Sequence, residues 1–343
     1  MKQSVEFRKV QITGGSTYVV SLPKKWIETV ELKPKDQIAL IPQPDMSLLL
    51  APRGELKPKE VSESIFDASL INRPEAVVTE FIARYLVGYD IIRVKLKDAM
   101  TRGFLRNSIH QKLIGVEIME ENANEIIAQC LLGSIDLPLD RALRRMHILM
   151  VFMFKDAIEA LRTNDQALAQ EIVRRDDEVD RLYLFIVRQL KAAVDNRLLV
   201  EEIGLSSPRD CLGYRLIVKS VERSADHAAR IARVALTLEA SLEEKIMESL
   251  VAVSKLATEI QENSMKALYK YDAEQVHETM AKTKDVAKFE EEIIEQLLGL
   301  KIEARTIVGI RLVLESIRRI AEYGTDIAEI AINLHVKPPS TNL

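Results

Sequence analysis

The sequence predicts a multidomain α+β protein, with a small N-terminal β-rich unit, an α/β connector and a C-terminal region that is all helix. Turn residues separate short β-branched segments up to about residue 53, and strand and helix patterns mix after it. From Pro138 onward the apolar residues follow a helical spacing, and this helical region repeats itself. We expect domains at residues 1–53, 54–137, 138–238 and 239–337.

Charge is distributed unevenly along the chain. Residues 1–53 contain eight Lys or Arg and five Asp or Glu, whereas the whole chain has a net charge of −4. The N-terminal unit is therefore basic and the remainder is acidic. This asymmetry favours a polyanionic partner for the N-terminal unit.

The cysteines and the lengths of the apolar runs indicate where in the cell we expect the protein. Cys130 and Cys211 lie far apart and form no CxxC spacing, which excludes a disulfide framework and a thiolate metal site. We therefore expect a reducing, cytoplasmic location. Charged residues near the start leave no apolar core for a signal peptide, and no apolar run reaches the ~18 residues of a membrane helix. We expect no membrane insertion.

The N-terminal unit reads as a hairpin, a short helix and a second strand pair. Gly14 and Gly15 allow the first two strands to reverse tightly, and Pro23 lies near the first turn of the helix. A turn around Pro44-Asp45 joins the last two strands. The predicted segments are "VEFRKVQI" and "TYVVSL" as strands, "LPKKWIETV" as the helix, and "QIALIP" and "SLLLAP" as strands.

The cations of this unit are its candidate binding residues. Arg8, Lys9, Lys24 and Lys25 flank the hairpin and the short helix. A strand buried on both faces does not tolerate such charges, whereas a hairpin that presents one face to a polyanion uses them to contact phosphates. The alternative is that the unit only dimerises the chain and that these cations keep it soluble.

The connector carries no chemical motif. The segment "RPEAVVTEFIARYLVGYD" spaces its apolar residues as a helix does, and "IIRVKL" and "IGVEIMEE" have strand character. A linker, "PRGELKPKEVSE", separates the connector from the N-terminal unit, because its prolines and mixed charge oppose regular structure.

The helical region contains an internal duplication. When Asp165 is aligned with Asp272, at a shift of 107 residues, the apolar positions of the two segments coincide. Further along, "VERSADHAARIA" aligns with "IRRIAEYGTDIA" at a shift of 96 residues, because the first copy has the longer connection "DNRLLVEEIGLSSPRD". Chance agreement between amphipathic helices is the alternative, and two matches in the same order favour duplication. The aligned apolar pairs are Val179–Val286, Leu182–Phe289, Ile186–Ile293, Leu190–Leu297 and Ile231–Ile327.

Each copy comprises three helices, and each helix has one apolar stripe. Three such helices must pack together to bury their stripes. We therefore expect tandem three-helix bundles.

Two pairs of acidic residues lie in the first copy. Asp176 and Asp180 are four residues apart on the second helix, and Glu222 and Asp226 are four apart on the third. Residues at this spacing share a helix face, where like charges repel by roughly a few tenths of a kcal/mol. Two such pairs on adjacent helices can hold a hard cation through carboxylate oxygens, which suits magnesium, manganese or iron better than zinc.

These acids also fit an ordinary solvated surface. Charged residues make up 29% of the chain, so acidic pairs on exposed helix faces are common. Four nearby arginines can neutralise the acids in an ion-pair lattice, without any metal. These are Arg174, Arg175, Arg223 and Arg230.

The second copy departs from the acidic pattern. The alignment places Glu322 opposite Asp226, but the other three acids have no acidic counterpart. Glu322 and Asp326 are again four apart, beside two arginines. We therefore expect any metal site in the first copy. The residues opposite Asp176, Asp180 and Glu222 are Thr283, Ala287 and Arg318.

The sequence lacks the motifs of an enzyme. A carboxylate-bridged di-iron bundle needs two Glu-x-x-His motifs on facing helices, and the chain has one, at Glu274 and His277. It has no glycine-rich phosphate loop and no nucleophile elbow. We expect no catalytic activity.

The helical region resembles the PhoU family of phosphate-uptake regulators, whose members are tandem three-helix bundles. The matching stretches are "RRDDEVDRL", "VERSADHAARIA" and "EYGTDIAEIA", and the resemblance covers about residues 138 to 335. It implies a metal cluster on the bundle surface, with iron as the expected metal and magnesium, manganese or zinc as alternatives. By position, the ligand role falls on Asp176, Asp180, Glu222 and Asp226.

The stretch "RKVQITGGSTYVVSLPKKWIETVELKPKDQIAL" resembles the AbrB, SpoVT and MazE class of swapped-hairpin DNA-binding domains. Lys35-Asp36 stands where these domains usually have Gly-Asp. The resemblance implies a β-barrel that a second chain completes, and about 50 residues bury too small a core to fold alone. It implies a homodimer that contacts DNA phosphates through Arg8, Lys9, Lys24 and Lys25.

Together these features predict a dimeric regulator of phosphate uptake, whose helical body senses phosphate status and biases DNA binding by the N-terminal unit. The alternative is an adaptor that does not bind DNA. In that case the barrel only dimerises the chain, and the body docks on a phosphate transporter component or a signalling kinase. A metal-dependent enzyme is a more distant alternative.

Overall fold

The computed structural model describes residues 5–42, 46–53, 61–131, 137–238, 242–299 and 302–336. They fall into two compact units, one from residues up to 60 and one from residues 61 to 337. The first contains short strands and one helix, and the second contains a sheet and long helices, so the chain is a multidomain α+β protein as predicted. The predicted domain boundaries adjoin segments outside the described residues and stay predictions.

The N-terminal unit follows the predicted order of elements. These are β1 (Gln11–Thr13), β2 (Thr17–Val19), α1 (Lys24–Thr29), β3 (Gln37–Pro42) and β4 (Leu48–Arg53). Strands β1 and β2 pair antiparallel, as do β3 and β4. Gly14 and Gly15 reverse the chain with φ angles of +61° and +84°, which glycine adopts at little cost. The predicted turn at Pro44-Asp45 and most of the predicted linker lie outside the described residues.

The first strand is shorter than predicted. Residues 5–10 are not in a strand, and β1 pairs with β2 through only three residue pairs. Among the described residues β1 has β2 as its sole partner strand, so the preceding backbone has no ladder to join.

The backbone at Lys35 has the conformation that suits the glycine usual at this position. Lys35 has a φ angle of +84°, which lies in the left-handed region that favours glycine. Asp36 closes the turn, because its carboxylate accepts a hydrogen bond of 2.7 Å from the backbone N–H of Lys33.

None of the described residues of the N-terminal unit is buried. Large apolar side chains are open to solvent, including Phe7 at 92% and Tyr18 at 73% of their full exposure. Folded proteins normally remove such side chains from water. One chain therefore leaves the apolar surface of this unit uncovered.

The connector is a four-stranded mixed sheet with two helices packed on it. Its elements are β5 (Glu63–Asp67), α2 (Pro74–Val87), β6 (Ile91–Lys95), α3 (Ala99–Lys112), β7 (Val116–Glu121) and β8 (Glu125–Cys130). Strands β5 and β6 are parallel, and β8 pairs antiparallel with both β6 and β7. Phe81 and Tyr85, on the predicted helix face, are buried in the core between helices and sheet.

The C-terminal region is a pair of three-helix bundles. The first copy contains α4 (Leu139–Thr163), α5 (Gln166–Asp195), the short α6 (Arg197–Glu202) and α7 (Asp210–Ala235). The second copy contains α8 (Glu244–Ala267), α9 (Ala273–Leu298) and α10 (Ala304–His335). One hydrophobic core runs through both bundles. None of the described helices is apolar enough over its length to cross a membrane.

The helix starts confirm the register of the duplication. Asp165 and Asp272 are the N-cap residues of α5 and α9, and each side chain accepts a hydrogen bond from the backbone N–H three residues on. The aligned apolar pairs are buried in both copies except at Phe289, which is 38% exposed while its counterpart Leu182 is buried.

An approximate two-fold axis relates the two copies. A Cβ atom added at Gly213 of α7 would lie 3.1 Å from Leu334, and one added at Gly309 of α10 would lie 3.2 Å from Leu238. Gly309 lies 96 residues after Gly213, and Leu334 lies 96 residues after Leu238. Exchanging the two copies therefore turns one contact into the other. Reciprocal contacts of this kind are characteristic of a two-fold interface. The two glycines let α7 and α10 approach closely.

The connector packs against α5 of the first bundle. Arg188 of α5 donates hydrogen bonds to the backbone oxygens of Tyr85 and Tyr89, and it lies 3.8 Å from Asp90. This contact brings Lys112, the last residue of α3, close enough for its charge to lower the pKa of Asp180 in α5.

Candidate functional site on the first helical bundle

The four acidic residues predicted as ligands lie on two helices that pack together. Asp176 and Asp180 are one turn apart on α5, and Glu222 and Asp226 are one turn apart on α7. Buried residues beside them, such as Val179, anchor both helices in the core. The structure therefore brings the two pairs to one surface of the first bundle.

The carboxylates of this cluster repel one another. Desolvation and the charges of Asp226 and Asp180 raise the pKa of Asp176 to about 7. Desolvation and the charges of Glu222 and Asp226 raise the pKa of Asp180 to about 6. Desolvation also raises the pKa of Asp226. The site therefore carries excess negative charge near neutral pH and attracts positive charge.

Neighbouring cations neutralise the cluster only in part. Lys219 pairs with Glu222 at 2.5 Å, and Arg233 lies 3.8 Å from Asp176. Lys219, Arg233 and Arg223 also oppose the rise in the pKa of Asp226, and Arg223 is one of the four arginines expected to neutralise the acids. The pKa values of Asp176 and Asp180 stay raised in spite of these contacts.

Two of the arginines expected to neutralise the cluster face other groups. Arg175 lies 2.6 Å from Asp156, and Arg230 lies 3.5 Å from Glu315. Both are therefore engaged outside the four acids. These two arginines do form ion pairs, as the alternative to a metal site expected, but they pair with other acids and do not neutralise the four carboxylates.

The donor chemistry of the cluster fits a hard cation. Carboxylate oxygens are the ligands that magnesium, manganese and iron accept, and their unrelieved charge favours a cation. Among the described residues, however, no three His, Cys, Asp or Glu side chains converge on one point where a metal ion fits. Binding therefore requires the carboxylates to rotate toward one another on their helices.

The corresponding surface of the second bundle is an ion-pair network. Arg318 lies 2.9 Å from Glu290 and 3.1 Å from Glu322, and Arg319 lies 2.5 Å from Glu322. Arg311 also pairs with Glu290, whose side chain is buried. The carboxylates of this network are already matched by arginines.

The four cations predicted to face DNA are exposed, but two of them pair with nearby acids. Arg8 lies 2.5 Å from Glu6, and Lys24 lies 3.7 Å from Glu28. Lys9 and Lys25 form no ion pair with the described residues. Arg8 therefore contributes less free charge than the sequence alone suggests.

Comparison with known families identifies the helical region. The description "PhoU domain" matches residues 143–235 and 250–331, which make up just over half of the chain. The chain belongs to the PhoU family. The bacterial antitoxin description "Antidote-toxin recognition MazE" matches residues 11–57, which include the N-terminal strands and α1.

Curated relatives and a solved structure cover this PhoU region. A "Phosphate-specific transport system accessory protein PhoU homolog" from Borreliella burgdorferi is 30% identical over 89 residues, which are 26% of this chain and 39% of that protein. The protein of the same name from Clostridium acetobutylicum is 23% identical over 189 residues, 52% of this chain and 82% of that one. The crystal structure of PhoU from Streptococcus pneumoniae shares the fold, with a TM-score of 0.50 and 21% identity over 57% of this chain and 92% of that one.

In this PhoU-family chain, sequence reasoning missed three residues that act on the acidic cluster, namely Lys219, Arg233 and Lys112. Lys219 stands three residues before Glu222, and this helical spacing is a signal that the sequence does contain. Lys112 belongs to the connector and acts on Asp180 only because α3 packs near α5. No local pattern signals a contact of that kind.

Proposed function

We propose that this protein is a dimeric, DNA-binding regulator of phosphate uptake that acts in the cytoplasm. The helical body responds to phosphate status and biases how the N-terminal unit engages operator DNA. Membership of the PhoU family supports the first part, because the curated relatives are named as accessory proteins of phosphate-specific transport. The MazE match and the uncovered apolar surface of the N-terminal unit support the second part.

The observation that carries the proposal is that no described residue of the N-terminal unit is buried. Burial of apolar surface contributes roughly 25 cal/mol per Å², and a unit that buries none of its large side chains lacks the main stabilising term of folding. Ile12, Tyr18 and Leu40 are all more than half exposed in one chain. A second copy with matching strands covers both surfaces at once. Dimerisation through this unit follows.

Dimerisation also concentrates the basic charge that DNA binding needs. Each chain brings Lys9 and Lys25 without an ion pair to the described residues, so a dimer presents at least four free cations from these two positions. Binding through phosphate contacts releases counterions, and the affinity then falls steeply with salt. The MazE match relates this unit to a family of small domains. In this proposal the lysine side chains are the groups that contact the DNA phosphates.

DNA upstream of phosphate-transport genes, compared with random duplex of equal length at several salt concentrations, tests this proposal. We expect a salt-sensitive preference for the upstream DNA. The double substitution Lys9→Ala with Lys25→Ala removes four contacts per dimer, so the slope of log K against log salt should shrink by roughly 3 to 4.

Lys284→Ala with Lys288→Ala is the matched control, because it removes the same charge from the helical body. This control should leave the slope unchanged, and both variants should remain dimers by light scattering. Wild-type protein that binds random duplex as well as the upstream DNA would remove the transcriptional part of the proposal.

We also propose that the acidic cluster of the first bundle holds a metal, with iron favoured by the family resemblance and magnesium, manganese or zinc as alternatives. The raised pKa values of Asp176 and Asp180 support this assignment, because a cation relieves the same repulsion as a proton. Elemental analysis should find less metal after combined substitution of the four acids than in wild type. Glu322→Gln with Asp326→Asn in the second bundle is the control and should retain the metal.

The second candidate function is an adaptor that docks on a phosphate transporter component or a signalling kinase. The names of the curated relatives favour it, and so does the pairing of Arg8 with Glu6, which reduces the free charge available for DNA. Under this alternative, Lys9→Ala with Lys25→Ala leaves phosphate regulation in cells unchanged. Loss of regulation by a variant that is still dimeric favours DNA binding instead.

A further inference from the structure

Two grooves lie along the seam between α4 and α8, and the approximate two-fold axis relates them. One, of about 390 Å³, lies between the C-terminal half of α4 and the middle of α8. The other, of about 330 Å³, lies between the N-terminal half of α4 and the C-terminal end of α8 with the residues just after it. At a shift of 107 residues, most lining positions of one groove map onto those of the other. The grooves therefore share their place in the fold and differ in the side chains they carry.

The larger groove neutralises its own charges, and we name it the balanced groove (Lys155, Glu159, Arg162, Lys255 and Glu259). Glu159 accepts two hydrogen bonds from Arg162, of 2.8 and 2.6 Å. Lys155 lies 2.9 Å from a carboxylate at the edge of the groove. Lys255 forms no ion pair with the described residues, but the three lining cations face three lining carboxylates, so the groove has no net charge.

The smaller groove has unmatched positive charge, and we name it the cationic groove (Arg144, His147, Lys266, Tyr269 and Lys270). Its two lysines and its arginine are exposed and form no ion pair with the described residues. Two acids adjoin this groove. Glu262 forms an ion pair with Lys155, and the charge of Asp140 raises the pKa of Tyr269. The net charge of the groove remains positive.

Two buried polar atoms of the cationic groove have no hydrogen-bond partner. His147 is 6% exposed, and its Nε2 atom is unpaired, as is the hydroxyl of Tyr269. Buried polar groups are nearly always hydrogen-bonded in folded proteins, and the backbone of Gln261 is the hydrogen-bonding group nearest the His147 ring. Both unpaired atoms lie beneath the surface of the groove, so a polar ligand pairs with them only after the covering side chains move. Arg144 stacks over the ring of Tyr269 at 3.4 Å, which holds its guanidinium group at this place.

We propose that the cationic groove binds a small phosphorylated anion. A phosphoryl group offers several oxygens, which accept charge-assisted hydrogen bonds from Arg144, Lys266 and Lys270. The groove is large enough for a small-molecule ligand, and Ile148 and Met265 give it an apolar wall for an organic group attached to the phosphate. Free phosphate and a phosphate monoester share this chemistry.

His147 provides a reporter for the bound anion. Burial lowers the pKa of this ring to about 4, against the opposing effect of Glu262, so the ring is neutral near pH 7. An anion next to the ring opposes that shift and raises the pKa. The imidazole nitrogen resonances should therefore move on binding, which a ligand bound elsewhere on the protein would not cause.

The test is a calorimetric titration of the full chain with inorganic phosphate and, separately, with AMP, at constant ionic strength. The protein is stripped of metal with EDTA, so binding at the acidic cluster cannot contribute. We expect saturable binding of at least one probe. Lys266→Gln with Lys270→Gln should weaken binding at least tenfold, because it removes two of the three cations.

Arg162→Gln with Lys255→Gln is the matched control, because it removes two positive charges from the balanced groove. It should leave the affinity within twofold of wild type. Binding of AMP without binding of free phosphate assigns the groove to phosphate esters, and the reverse assigns it to phosphate itself. The proposal is overturned if neither probe saturates, or if the two variants lose affinity equally.

This inference does not rest on DNA binding or on a metal in the acidic cluster. The titration contains neither DNA nor metal, and the DNA experiment uses substitutions in a different unit of the chain. Either proposal can therefore fail while the other stands.

Discussion

In the first bundle the surface between the second and third helices carries carboxylates that neighbouring cations relieve only in part, whereas on the corresponding surface of the second bundle arginines pair with Glu290 and Glu322. Thr283, which aligns with Asp176, hydrogen-bonds Thr325 at 2.5 Å. Arg318, which aligns with Glu222, pairs with Glu290 and Glu322. The same helices in the same register thus support opposite electrostatics.

The seam between α4 and α8 repeats this contrast with the sign of the charge reversed. There the cationic groove is unmatched and the balanced groove is closed by its own ion pairs. Unmatched charge costs folding free energy, whereas matched pairs at the surface are nearly neutral. The difference teaches that the duplication kept the apolar contacts, which fold the chain. Uncompensated charge is concentrated at one site in each pair, where a ligand can offset its cost, although desolvation and the charge of Glu329 also raise the pKa of Asp326 in the second bundle.

The shared core is the first part of this comparison to test, and it should give the largest effect. Gly213→Val and Gly309→Val each place methyl groups where even a Cβ atom would lie 3.1 Å from Leu334 of α10 or 3.2 Å from Leu238, three residues after α7. Each should lower the free energy of unfolding by about 2 to 3 kcal/mol, as overpacking of a core does. Denaturant unfolding measures the change.

The two-fold relation predicts nearly equal losses for these variants, since the contacts are equivalent. Gly103→Val is the control, because a Cβ atom there has only the tip of Arg106 within 4 Å, at 3.9 Å. It should cost little. Unequal losses at Gly213 and Gly309 would mean that the two copies do not pack by the same rule.

The ion-pair network of the second bundle should respond next most strongly. Glu290→Gln removes the carboxylate that pairs with both Arg311 and Arg318, and it leaves an uncharged amide at a buried position. We expect a loss of about 2 kcal/mol, below the 3–5 kcal/mol of a fully buried pair, because both arginines are partly exposed. Glu291→Gln, an exposed neighbour on the same helix, is the control.

The acidic cluster of the first bundle should respond with the opposite sign. Asp176 and Asp180 have folded-state pKa values of about 7 and 6, above the ordinary aspartate value of 3.8, so the folded protein binds more protons between about pH 4 and pH 7. Their contribution to stability is fully present below pH 4 and is lost as the pH rises through 7. In metal-free protein at pH 8, Asp176→Asn with Asp180→Asn should therefore stabilise the fold by about 1 kcal/mol, after screening at this surface.

The stability difference between this double variant and wild type, measured from pH 4 to pH 8, checks the sign. The difference should grow as the pH rises. Adding a divalent cation at pH 8 should stabilise wild type and not the variant. A pH-independent difference would mean that neither desolvation nor the neighbouring carboxylates raise the pKa values of Asp176 and Asp180 on folding.

The sequence was sufficient for the parts of the fold that depend on local periodicity. Asp165 and Asp272 both cap helices, as the shift of 107 residues requires, and the long connection of the first copy contains the extra helix α6. Periodicity shows which face of a helix is buried but not which helix covers it. The groove between α4 and α8 and the position of Lys112 near Asp180 therefore could not be predicted.

The candidate site was predictable in its residues and not in its electrostatics. The spacing of Asp176 and Asp180 places them on one face of a helix, but their raised pKa values depend on desolvation by the neighbouring helix and on Glu222 and Asp226. Phe289 shows the converse, because the alignment pairs it with the buried Leu182 and the structure leaves it 38% exposed. Burial is set by tertiary packing, which a repeat in sequence does not fully determine.

The smallest effect belongs to the balanced groove, where Glu159→Gln breaks the paired hydrogen bonds to Arg162. Both side chains are about half exposed, so solvent screens the pair and the free energy of unfolding should change by less than about 0.5 kcal/mol. The substitution nevertheless frees the guanidinium group of Arg162 and leaves the groove with unmatched positive charge. Phosphate binding at this groove should therefore appear in Glu159→Gln without a change in stability. If it does not appear, charge alone is insufficient, and the unpaired groups of His147 and Tyr269 are what distinguish the cationic groove.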